Sequence, residues 1–161
     1  MNMKKLLLFL VGLSVFCRLI AQTESGENEQ HDSYVQCVYI DNLDHHLISD
    51  ILINSYYYKL KPSDFKISQI IDTNHNRREL HIHTKKAKSG FLYVNQYIME
   101  SIEVSSPKSE RMKVVYVYND SEVKTYKDVI HLLGLRKKRI GVSKLTQDEQ
   151  LGIITVFITK E

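Results

Sequence analysis

The stretch "MKVVYVYNDSEVKTYKDVIHLLGLRKKRIGVSKLTQDEQLGIITVFITK", residues 112–160, decides the fold. Its first seven residues are rich in β-branched and aromatic side chains and predict a strand. "NDSE" (119–122) reads as a turn. Tyr126, Val129, Ile130 and Leu133 stand at i, i+3, i+4 and i+7, the spacing of one helix face, and Gly134 closes that helix at C′. "RIGVSKL" (139–145) predicts a strand, "TQDEQ" (146–150) a turn, and "GIITVFIT" (152–159) a strongly β-branched closing strand. The order is strand, helix, strand, strand.

The same order is found upstream. "VQCVYI" (35–40) predicts a strand. Leu47, Ile48, Ile51, Leu52 and Ser55 follow at helical spacing, with Asp44 as N-cap and Pro62 stopping the helix soon after Lys59. "FKISQII" (65–71) and "ELHIHTK" (79–85) are strands joined by the Asx-rich turn "DTNHNRR" (72–78). Laid side by side, Ser68–Lys85 matches Ser143–Lys160 without a gap, with Ser68/Ser143, Thr84/Thr159 and Lys85/Lys160 identical and Ile70/Leu145 and Ile82/Phe157 apolar in both. The shared order of elements is the stronger argument for an internal repeat. Between the units, "FLYVNQY" (91–97) and "SIEVSS" (101–106) suggest a hairpin, and "SSPKSE" (105–110) has loop chemistry. The expected fold class is α+β, with one or two tandem β-α-β-β units and mainly antiparallel strands. Residues 34–88 form the first unit, 89–112 a connecting hairpin or loop, and 113–161 the second unit.

The N-terminus, "MNMKKLLLFLVGLSVFCRLIAQ", has the parts of a signal peptide. Lys4 and Lys5 precede an apolar run from Leu6 to Phe16, and Ala21 suits the site of cleavage before Gln22. A spanning helix needs about 20 apolar residues, and Arg18 interrupts this run early. Phe16 is too large to precede a lipidated Cys17. Export with cleavage after residue 21 is therefore expected, with no transmembrane span after processing. "TESGENEQHDS" (23–33) lacks apolar periodicity and holds four acids, so 22–33 reads as a disordered acidic leader.

Processing removes the basic excess. The first 21 residues carry three of the 22 basic residues and no acid, leaving 19 against 19 acids. A nucleic-acid binder would keep a concentrated basic face. Only Arg136-Lys137-Lys138-Arg139 offers one, and it reads as a solvated loop after a helix, so no nucleic-acid partner is expected. The mature chain keeps one cysteine, Cys37, in an apolar strand-like run, which suits a buried structural thiol.

The C-terminal third resembles the plug-like domain of TonB-dependent outer-membrane receptors. "YVYNDSEV" fits the family's first strand and turn, "RIGVSKL" its second strand, and "LGIITVFITK" its closing strand, with Gly152, Thr159 and Lys160 in the expected places. The likeness covers about residues 113–161, with a fainter copy over 36–86. The family's glycine-rich loop is reduced here to "TQDEQLG", its Asp-Gly turn is Asn119-Asp120, and no TonB box is recognisable. The chain is too short for a transport barrel. The resemblance implies a standalone, exported plug-like module, in the periplasm or at the outer membrane, that binds an envelope partner. Receptor activity does not follow from fold likeness.

Histidine carries the remaining chemistry. All seven histidines follow residue 21. Strand alternation puts His81 and His83 on one face and Leu80 and Ile82 on the other. Two imidazoles on one face can hold zinc or copper, and His75 and Glu79 could complete a ligand set. The alternative is a polar strand face, partly covered if His81 and His83 align with Val156 and Ile158. His45-His46 open a helix and do not share a face. Tyr56, Tyr57 and Tyr58 either end a helix with one ring buried or form an exposed contact patch for a partner. No Gly-x-Ser-x-Gly elbow, His-Glu-x-x-His helix or Walker loop is present, so neither an enzyme nor a cofactor is expected. A small metal-binding protein is the second reading and an unrecognised hydrolase the third.

Overall fold

The structure, a computed structural model, describes residues 35–72, 77–102 and 112–160. The expected signal peptide and leader, His75 and most of the "SIEVSS" segment lie outside them. Within residues 34–161 the chain is one compact unit built on two four-stranded sheets.

The first sheet comprises β1 (Val35–Ile40), β2 (Leu43–Asp44), β3 (Phe65–Asp72) and β4 (Arg77–Thr84), in the order β2-β1-β4-β3. β1 runs parallel to β4, and the other neighbours are antiparallel. The second sheet comprises β5 (Lys113–Tyr118), β6 (Ser121–Glu122), β7 (Ile140–Asp148) and β8 (Ile153–Lys160), in the order β6-β5-β8-β7 with the same directions. The fold is therefore α+β with mostly antiparallel pairing, and the two halves share one topology. Both hairpins at the start of a unit use two-residue turns with positive φ, at Asp41 and Asn42 (49° and 68°) and at Asn119 and Asp120 (47° and 61°). Asn and Asp accept this left-handed backbone, whose twist matches that of the strands it joins.

Among the described residues three α-helices accompany the sheets: α1 (Asp50–Ser55), α2 (Ser89–Ser101) and α3 (Tyr126–Leu133). The first unit's helix is shorter than its periodicity suggested. A 3-10 turn (His45–Leu47), capped by the Asp44 side chain, comes before α1, and a second one (Tyr57–Lys59) follows it. Ile48 is extended between them, which lets Leu47, Ile48 and Leu52 all reach the core. α3 forms where expected, with a reciprocal Thr125–Asp128 capping box, but its buried face is Val129, Leu132 and Leu133, Tyr126 and Ile130 being exposed, and Gly134 is its C-cap in the right-handed region.

The connecting segment is a correction. "FLYVNQY" does not form a hairpin strand, because Phe91, Val94, Asn95 and Ile98 bury one stripe of helix α2. These positions fall at i, i+3, i+4 and i+7, the helical period that the aromatic and β-branched content of the segment obscured. α2 is fixed at its N-terminus by Gly90. The Gly90 N–H donates to Leu135 O at 2.9 Å, and a Cβ on Gly90 would stand 2.7 Å from the Leu135 carbonyl. One core joins everything: Leu43, Leu47 and Leu52 from the first unit, Phe91 and Ile98 from α2, and Val114, Leu132, Ile154 and Val156 from the second.

The register corrects the ungapped alignment. Ile67 pairs with Ile82 and Val142 with Ile158, but β7 then bulges at Ser143 and Lys144 pairs with Phe157, as Ser68 does with His81. The turn hydrogen bonds agree: Asp41 N–H donates to Ile82 O at 2.8 Å and Asn119 N–H to Ile158 O at 3.1 Å. Leu80 and Ile82 thus correspond to Val156 and Ile158, and His81 and His83 to Phe157 and Thr159. One residue of slip exchanges the faces of a strand, so the argument for a covered histidine face falls away.

Candidate functional site

β4 splits as alternation requires. Leu80 and Ile82 are buried, and His81 and His83 share the other face, half-buried. His81 stacks on Tyr39 with ring centroids 4.9 Å apart, and its Nε2 lies 2.9 Å from Glu79 Oε2. The His81 and His83 rings lie 6.4 Å apart. His83 Nδ1 is buried and makes no hydrogen bond among the described residues. His75, the remaining ligand suggested by sequence, is outside them. Glu79, His81 and His83 therefore share a face, but the close grouping of three possible ligands is elsewhere. Asp44, His45 and His46 have ligand atoms within 4.8 Å of one another. The His45 and His46 rings lie with centroids 3.7 Å apart. Much of this grouping is already engaged: Asp44 Oδ1 accepts from His46 N–H at 2.9 Å, and His45 Nδ1 lies 3.3 Å from Val38 O. Burial disfavours the Asp44 carboxylate, but the His45 side chain, 3.4 Å from Oδ1, and the His46 N–H outweigh it and hold its pKa below the usual carboxylate range.

The tyrosines do not make an exposed patch. Tyr56 is buried in the core and Tyr57 and Tyr58 are half-buried. Tyr57 OH donates to Asp41 Oδ2 at 3.0 Å. That bond belongs to a buried network that the sequence reading missed. Asp41 is wholly buried; its Oδ1 accepts from Thr84 N–H at 2.7 Å and its Oδ2 from Thr84 Oγ1 at 2.8 Å. Its carbonyl accepts from Asn95 Nδ2 at 2.7 Å, and Asn95 Oδ1 accepts from Tyr116 OH at 2.7 Å. Burial raises the Asp41 pKa, against the pull of the hydrogen bonds from Thr84 and Tyr57. Burial also pushes the Tyr57 and Tyr116 hydroxyls well up, helped by the nearby Asp41 charge. Every polar atom named here is engaged, so the network holds elements together and offers no free nucleophile or base.

The basic run is a solvated 3-10 turn (Lys137–Arg139), with the Lys137 ammonium 4.6 Å above the Tyr93 ring. Arg136 and Arg139 line a surface cleft of about 380 Å³ beside Lys160.

The surface that stands out is the outer strand of the first sheet. β3 is terminal in its sheet, and no other described strand pairs with its outer side. It carries Ile67, Ile70 and Ile71, which are 60 %, 52 % and 51 % exposed. Ile67 and Ile71 lie on the face of Leu80 and Ile82, and Ile70 on the face of His81. Uneven isoleucine spacing was the available signal, since 67, 70 and 71 cannot all face one side of a strand. Sheet edges of this kind accept added strands.

Comparison of the chain with family models, curated proteins and solved structures gave no match. Among the described residues, no helix is long and apolar enough to cross a membrane.

Proposed function

We propose that the chain is an exported, non-enzymatic module of the cell envelope, allied to receptor plug domains, that binds a protein partner along β3. The observation that carries this reading is the bulge-free edge strand that exposes Ile67, Ile70 and Ile71. Added strands draw affinity from main-chain hydrogen bonds and specificity from alternate side chains. The apolar segment at residues 6–16 supports export, and the lack of a catalytic motif supports a binding role. A photoreactive amino acid at Ile70 should give a protein adduct in envelope fractions, while the same probe at Lys144, on β7, should not. No adduct from position 70 would end this reading.

A second reading, a small metal-binding protein, is favoured by Glu79, His81 and His83 sharing one face. Zinc should then raise the melting temperature, and the His81→Ala/His83→Ala variant should lose the effect.

A further inference from the structure

The geometry points to a second copy of this chain as the occupant of the β3 edge, the two strands pairing antiparallel about a two-fold axis at Gln69. This inference rests on the binding role given to β3 above. The argument is one of self-complementarity. A two-fold axis perpendicular to a sheet keeps each side chain on its own face, and opposed residues in an antiparallel pair share a face. Only registers whose paired residue numbers sum to an even value satisfy both conditions. The register centred on Gln69 sets Ile67 opposite Ile71 twice, and Ser68 opposite Ile70 twice. It also sets position 66, a lysine, opposite position 72, an aspartate, again twice. The neighbouring register, centred on Ser68, sets Ile67 against Gln69 and Lys66 against Ile70, so it loses the charge match and keeps only Phe65 against Ile71 as an apolar pair.

The rest of the molecule is consistent with this occupant. β3 runs its eight residues against β4 without a register shift, so its outer side is a straight template. The pairing would place two Ile67–Ile71 pairs, one on each side of the Gln69 pair, on the face that already carries Leu80 and Ile82. Two four-stranded sheets would become one of eight. β7, in the equivalent place, is broken by its bulge and by Lys144 and has no such register.

Sedimentation of the protein purified from envelope fractions should give a dimer. Ile67→Lys/Ile71→Lys should be monomeric with an unchanged circular dichroism spectrum. Lys66→Asp alone should weaken the dimer at low salt, and Lys66→Asp/Asp72→Lys should restore it. With Cys37 replaced by Ser, Gln69→Cys should form an intermolecular disulfide under oxidised glutathione, and Ser68→Cys should not. This last variant tests register even if the isoleucine variant fails to fold. A monomeric native protein, a dimer that survives the lysine pair, or a disulfide through position 68 in place of 69 would overturn the inference. If the native protein is monomeric and Ile70 still crosslinks to a different envelope protein, the edge-binding reading stands and the second copy does not. If it is monomeric and position 70 crosslinks to nothing, both fall.

Discussion

β3 and β7 hold equivalent places at the ends of their sheets. β7 turns its apolar residues toward the core: Ile140 is buried, and Val142 and Leu145 pack against it. Its bulge at Ser143 shifts the register, and Lys144 lies over the Phe157 ring on the outer face. Bulges and lysines are common means of preventing a sheet edge from pairing with another chain. β3 has no bulge and leaves three isoleucines half-exposed or more. Two copies of one topology thus differ most at the edge, where a strand can be closed to partners or left available without disturbing the pairs behind it.

The two halves also differ at their turns and central strands, in ways that mutation measures. The largest effect is expected in the central strands. Ile158 lies in the shared core, whereas Ile82 is buried outside that main cluster. Ile158→Ala should cost near the top of the range of about 2–5 kcal/mol for such truncations, and Ile82→Ala nearer the bottom, by denaturant unfolding. Equal costs would mean that both faces are covered alike.

The turns come next. Asp41→Ala removes the acceptor for Thr84 and Tyr57 and puts a Cβ-bearing residue without a local hydrogen bond at φ 49°. It should cost about 2–4 kcal/mol, since each donor left unsatisfied costs about 1–3. Asn119→Ala, at φ 47° but exposed, should cost about 1 kcal/mol. The same pair predicts a pH effect. The folded Asp41 pKa lies above its unfolded value, so between the two the native state binds more protons. Its contribution is therefore fully present below the unfolded pKa and is lost as pH rises through the folded one. Asp41→Asn keeps a residue suited to the turn and should remove that dependence. Melting of the two proteins across the acid range should diverge, the wild type gaining on the variant as pH falls.

The smallest effect is on the outer face of the closing strands. His81→Ala gives up the Tyr39 stack and the Glu79 contact, for about 0.5–1.5 kcal/mol. Thr159→Ala, at the exposed position equivalent to His83, should stay within about 0.5 kcal/mol.

Much of this architecture was legible in the sequence because local signals and burial agree there. "MKVVYVY", "GIITVFIT" and "ELHIHTK" are strands, the last with the expected faces, and Tyr126, Val129, Ile130 and Leu133 do belong to one helix. α2 was misread because Phe91, Tyr93, Val94 and Tyr97 favour strands by type while burial follows the helical period, and tertiary packing overrides propensity. The Ser143 bulge was hidden because an inserted residue leaves composition and alternation almost intact on either side, yet it moves every later equivalence by one. The buried network was hidden for another reason: Asp41-Asn42 reads as an ordinary turn, and nothing local indicates that Asn95 and Tyr116, far along the chain, converge on it.

A duplicated chain usually invites the thought that either half could be cut away. The proton donated by Tyr116 to Asn95, and that donated by Asn95 to the Asp41 carbonyl, make such a cut costly. Asn95 belongs to the connecting helix, Asp41 to the first hairpin and Tyr116 to the second sheet. Separation at any point between them breaks at least one of these buried hydrogen bonds and exposes apolar core that the other part covers. The repeats are therefore expected to melt in a single transition, with the Asn95 side-chain amide among the slowest protons to exchange with solvent. Halves of one topology are parts that need each other, bound by two side chains and one backbone carbonyl.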